Sequence, residues 1–158
     1  MITGIGHAAF GVRDVETSLH FYCDILGFQR AFELKNVNPN RPPSDIPQIY
    51  YLLIGNGQFV ELFPAPPAAD KPAGAEKPAG NSGSYRHLQF EVDDMQSTIA
   101  TLESRGLPPS PNPPRLGKDG NWQYWITDPD GNRFELMQIM PDSLHADAIS
   151  RLQTSATR

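Results

Sequence analysis

A chain of 158 residues has room for one well-packed domain, or for two half-domains that share a core, and is too short for two large independent ones. Thirteen basic against 18 acidic side chains, a net charge of -5 and no basic run interleaved with aromatics argue against nucleic acid as a partner. Met1-Ile2-Thr3-Gly4 lacks the features of a secretory signal, no apolar run nears the ~18 residues of a membrane span, and Cys23 is the only cysteine, so a cytosolic protein without an internal disulfide is expected, in which any metal is held by His, Glu or Asp.

The first expected element is a strand carrying His7. It leads to Asp14, a helix N-cap, and then to Val15, Leu19 and Tyr22, apolar positions at helical spacing, before Gly27 stops the helix. Asn38 to Pro47 is proline-rich and reads as a loop. Ile49 to Ile54 and Gln58 to Phe63 read as two strands of a hairpin turned at Gly55-Asn56-Gly57. Pro64 to Gly83 is dominated by Pro, Ala and Gly, with Lys71-Pro72-Ala73-Gly74 nearly repeated as Lys77-Pro78-Ala79-Gly80, and reads as a linker.

The pattern then begins again. His7, Phe10, Val12 and Asp14 fall on His87, Phe90, Val92 and Asp94 at an offset of 80, and the second helix runs through Met95, Ile99 and Leu102 to Gly106. After a proline-rich loop, Pro108 to Pro114, comes Trp122 to Thr127 and the turn Asp128-Pro129-Asp130-Gly131. Gly57-Gln58-Phe59-Val60-Glu61-Leu62-Phe63 is matched by Gly131-Asn132-Arg133-Phe134-Glu135-Leu136-Met137, now at an offset of 74. Each half therefore reads strand, helix, then two or three strands. A tail follows, in which Leu144 to Leu152 can form one short amphipathic helix with a frayed end. The expected division is 1–64, first module; 65–84, linker; 85–140, second module; and 141–158, tail.

Two residue types recur at matched places in both halves. Alternation along a strand puts Phe59, Glu61 and Phe63 on one face and Val60 and Leu62 on the other, so Glu61 has no polar face to retreat to. A buried carboxylate without a partner costs several kcal/mol, and Glu135 meets the same problem in the equivalent slot. His7 and His87 sit on the opening strands, and imidazole suits borderline divalent metals. A lone His in a strand is more often a hydrogen-bonded core residue, and a lone Glu often pairs with an Arg. The matched recurrence of both favours a metal held by His7, Glu61, His87 and Glu135, whose two carboxylates balance M2+. His20 and His145 have no repeat mate and are expected at the surface.

These residues resemble the vicinal oxygen chelate superfamily (glyoxalase, bleomycin resistance and extradiol dioxygenase proteins) over about Ile5 to Met140. Gly6-His7, Phe21-Tyr22-Cys23-Asp24-Ile25-Leu26-Gly27-Phe28 and Asp128-Pro129-Asp130-Gly131-Asn132 look like its signatures. The resemblance implies an α+β fold of two tandem βαβββ modules forming a curled mixed sheet around a metal-binding cleft. It is closest to glyoxalase I-like proteins, whose bacterial type uses a His, Glu, His, Glu set. By that likeness the chain is a lactoylglutathione lyase-like metalloenzyme, with a small-molecule partner and one divalent metal: Ni, Co, Zn or Mn.

The implied chemistry is proton transfer through an enediolate in a 2-oxoaldehyde-thiol adduct or a related hydroxy or keto compound, with Glu135 as base and Glu61 as its pseudo-symmetric mate. Gly11 and Ala65 stand where glyoxalase I carries an Arg and an Asn for the glutathione carboxylates. Lys118, near Arg115, falls on the loop where that family places a basic residue, with a solvated loop lysine as the alternative. Arg41, Tyr51, Trp122 and Tyr124 are further candidates to line a substrate, although such aromatics are more often core. An Fe(II) ring-cleaving dioxygenase and a non-catalytic, resistance-type binding protein are the alternative functions, and a homodimer is the expected assembly.

Overall fold

A computed structural model of the chain describes residues 2–39, 42–65 and 86–156, and the side chains of those up to residue 153. It divides into two compact units, Met1–Gly80 and Asn81–Arg158. The expected linker, 65–84, lies outside the described residues apart from Ala65.

In the first unit, β1 (His7–Val12) leads into helix α1 (Val15–Leu19), which continues as a π-helical stretch, His20–Ile25. Strands β2 (Gln29–Leu34), β3 (Ile49–Gly55) and β4 (Gln58–Pro64) follow, and the sheet order is β1-β4-β3-β2. β1 runs parallel to β4, and the other neighbours are antiparallel. The second unit repeats this plan with β5 (Leu88–Glu91), α2 (Met95–Ser104), β6 (Arg115–Leu116), β7 (Trp122–Thr127) and β8 (Arg133–Gln138), in the order β5-β8-β7-β6. The fold is α+β, two βαβββ modules, and the mixed sheet is in fact two open four-stranded sheets, one per module.

Local chemistry explains the element ends. Asp14 Oδ1 accepts from the Thr17 N–H and Asp94 Oδ1 from the Ser97 N–H, both at 2.8 Å, so each first helical turn has its free donor satisfied. Gly27 and Gly106 end the two helices at φ 84° and 106°. The first helix has one residue more between its cap and its stopping glycine than the second. The π-helical stretch absorbs it, with the Leu26 N–H bonded to the Phe21 carbonyl five residues back. Asn56 and Gly57, at φ 52° and 73°, make the two-residue turn that joins β3 to β4. The longer turn between β7 and β8 is pinned by the buried Asp128, which accepts from the N–H groups of Asp130 and Asn132 at 3.0 and 2.7 Å.

Each sheet has one face packed as core. In the first unit this face carries Tyr50, Leu52, Val60, Leu62 and Phe10, with Tyr22 of the π-helical stretch stacked on Phe10. In the second it carries Phe90, Tyr124, Ile126, Phe134 and Leu136, with Met95, Ile99 and Leu102 buried along α2. Glu61 and Glu135, one residue out of phase, belong to the other face of their sheets.

The tail helix, α3, spans Leu144–Ala156, longer than the expected Leu144 to Leu152, because no Gly or Pro interrupts the run after Leu152. Ser143 caps it through an Ala146 N–H bond of 3.2 Å. The buried Asn121 ties its start to the sheet: its amide nitrogen reaches Asp119 and His145, and its oxygen accepts from the Met140 N–H at 2.9 Å. Among the described residues no helix is long and apolar enough to cross a membrane.

Candidate functional site

Strand register decides which side chains meet. β1 and β4 pair Ala9 with Glu61, and β3 and β4 pair Tyr51 with Glu61, so Ala9, Glu61 and Tyr51 form a row across the first sheet. His7, two residues before Ala9, shares that face. The equivalent row in the second sheet is Gln89, Glu135 and Trp125, with His87 two residues before Gln89. The offsets of 80 and 74 that relate the two halves map one row onto the other.

Both carboxylates are buried, with 4% of Glu61 and 5% of Glu135 exposed, and each has a histidine at one oxygen. His7 Nε2 is 3.5 Å from Glu61 Oε1, and His87 Nε2 is 3.0 Å from Glu135 Oε2. The four expected ligands are thus brought together as two pairs, one per unit. Within either unit no further His, Cys, Asp or Glu joins its pair to make a group of three among the described residues.

The neighbours differ. Tyr51 hydrogen-bonds Glu61, and that bond, then burial, pushes its phenol above the ordinary value. In the second sheet Glu135 Oε1, Gln89 Nε2 and Trp125 Nε1 are all shut off from solvent without a hydrogen-bond partner. Each such orphan costs about 1–3 kcal/mol, more when charged. A buried carboxylate oxygen without a partner, beside an imidazole nitrogen, is a donor set that fits a divalent cation and is hard to account for as a plain ion pair. Trp125 also meets the His87 ring edge-on at 4.8 Å and carries the Arg133 guanidinium over its face at 3.9 Å, which fixes the histidine from the side.

The other expected lining residues are dispersed. Tyr51 stands beside Glu61 as described. Trp122 and Tyr124 lie on the opposite face from Glu135, because they pair with Gln138 and Leu136, and the Tyr124 hydroxyl accepts from the Ser110 N–H in the loop after α2. Lys118 is exposed in the turn after β6, which is closed by a Gly117 N–H bond to the Asn121 carbonyl. Arg41 lies outside the described residues. His20 is exposed and bonded to Asp24, whereas His145, also exposed, is engaged by Asn121. Trp125 and Gln89 were not among the candidates, although the repeat pointed to them: adding 74 to Tyr51 gives Trp125, and adding 80 to Ala9 gives Gln89.

Known proteins resemble this chain in sequence and in fold. The uncharacterized protein YaeR of Escherichia coli (strain K12) is 35% identical over 104 residues, 65% of this chain and 71% of YaeR. A glyoxalase family protein from Enterococcus faecalis is similar in structure, with a TM-score of 0.64 and 27% identity over 85% of this chain and 96% of that one. Lactoylglutathione lyase from Agrobacterium tumefaciens shares the fold at a TM-score of 0.57, with 21% identity over 87% of this chain and 94% of its own. Residues 4–136 match the glyoxalase/bleomycin resistance protein/dioxygenase superfamily along most of the chain, and the protein belongs to that superfamily.

Proposed function

We propose that this protein is a metal-dependent lyase or isomerase that moves a proton at a carbon next to a carbonyl in a small, oxygen-chelating substrate. His7, Glu61, His87 and Glu135 are the four ligands of one divalent metal in this reading. The observation that carries it is the recurrence of a buried Glu with a His at its oxygen in both units, one of the two carboxylates keeping an oxygen without any partner. Bound there, a divalent cation supplies Lewis acidity toward adjacent substrate oxygens.

The two glutamates are suited to different tasks. Tyr51 bonds Glu61 and so anchors that carboxylate in place as a ligand. Glu135 Oε1 has no such bond, and its lone pairs can accept a proton from substrate carbon and return it to the neighbouring atom. Glu135 is therefore the general base, and His87, steadied by Trp125, is the metal ligand beside its other oxygen. A 2-oxoaldehyde-thiol adduct or a related hydroxy or keto compound has the chemistry this site needs.

Metal analysis of protein purified without added metal tests the reading. About one equivalent of Ni, Co, Zn or Mn per chain, abolished in a His7→Ala/His87→Ala double variant, is expected. Predominant iron redirects the assignment to ring-cleaving oxygen chemistry, and no metal even after reconstitution sinks it.

A further inference from the structure

We propose that Gln89 and Trp125 determine substrate specificity at this site, their side-chain N–H groups donating to a substrate oxygen set beside Glu135. The preferred substrate then carries a carboxylate or carbonyl oxygen beyond the two that chelate. The proposal rests on the proton-transfer reading above and adds the substrate class.

The two halves repeat each other at His and Glu but part company on either side of the carboxylate. Ala9 brings no polar group to the first row, and Tyr51 gives its hydroxyl to Glu61. In the second row both neighbours of Glu135 are N–H donors, one on each flanking strand, at strand spacings of about 4.8 Å. Neither donates to Glu135 Oε1, although that oxygen is itself unpaired. Two donors and an acceptor on adjacent strands that leave one another unbonded are arranged for a third party.

Trp125 cannot redirect its N–H freely, because His87 meets the ring at 4.8 Å and Arg133 covers it at 3.9 Å. A donor fixed in advance stabilises charge without reorganisation when the proton leaves carbon. Arg133, two residues before Glu135 on β8, lays its guanidinium over the Trp125 ring and so helps to keep that donor in place.

The test uses two chelating probes on metal-loaded protein. Oxalate has two oxygens left over after chelation, and acetohydroxamate has none. Calorimetry is expected to show oxalate binding weakened about tenfold or more in Gln89→Met and in Trp125→Phe, with acetohydroxamate changed less than about twofold. Equal losses for both probes would mean that the residues merely hold Glu135 in place, and that result, or unchanged oxalate binding, overturns the proposal. Cobalt titration of the same proteins keeps the two readings apart, since uptake by wild type and variants alike leaves the metal assignment intact whatever the probes do. If wild type takes up no metal, the donors are judged in the metal-free protein: oxalate must shift the Trp125 indole N–H resonance, one of only two such signals, and an unmoved signal overturns the proposal.

Discussion

Trp125 stands directly across from Glu135 on β7, in the place that Tyr51 holds across from Glu61 on β3. The tyrosine closes one glutamate with a hydrogen bond, whereas the tryptophan leaves the other open and turns its ring to the histidine. One duplicated scaffold thereby presents two buried carboxylates with different hydrogen-bond neighbours.

Glu135→Gln is expected to retain part of the metal and lose at least about 100-fold in turnover, the usual contribution of a positioned base. A steady-state assay on a 2-oxoaldehyde-thiol adduct, run beside metal analysis, checks it, and full activity in the variant would falsify the assigned role.

Tyr51→Phe removes the bond to Glu61. Turnover should fall by less than about tenfold, well short of the loss in Glu135→Gln. A larger loss than in Glu135→Gln would exchange the roles of the two glutamates.

Phe134 has no exposed surface and stacks on Phe90 at 5.1 Å. Phe134→Ala opens a cavity behind the Glu135 strand and is expected to cost about 3–5 kcal/mol of stability, readable in urea denaturation. A loss below about 1 kcal/mol would mean that the site can collapse around the missing ring.

Asp94 is held below the ordinary aspartate range by the Ser97 backbone N–H and then its hydroxyl. A lowered folded value contributes stability that is fully present above the unfolded value of about 3.9 and is lost as pH falls through the folded one. Asp94→Ala should therefore lower Tm at neutral pH, with the gap to wild type closing in acid. A gap that persists unchanged at pH about 2 would show that the capping charge is not its source.

Asn121→Ala deprives the Met140 N–H of its acceptor and leaves His145, at the start of α3, with Asp119 in place of two partners. A loss of about 1–3 kcal/mol is expected. Hydrogen exchange should quicken first at Met140 and through α3, and uniform exchange along the chain would contradict a local role.

The sequence by itself determined the duplication, the two capped helices, the hairpins and the His and Glu of each half, because each is written in local chemistry. An Asp before an apolar helical face, Asn-Gly in a turn, and a carboxylate between apolar neighbours need no distant partner to be recognised. Even so, the extra residue before Gly27 gave no sign that it would be taken up as a π-helical turn, the stretch that carries the buried Tyr22 stacked on Phe10. Trp122 and Tyr124 stand ahead of Trp125 by sequence, because three aromatics within four residues look alike until strand register fixes which one faces Glu135. Only the tertiary structure decided that, and with it that Gln89 and Trp125 flank the carboxylate unbonded: a one-residue change in register carries every side chain of a strand to the other face.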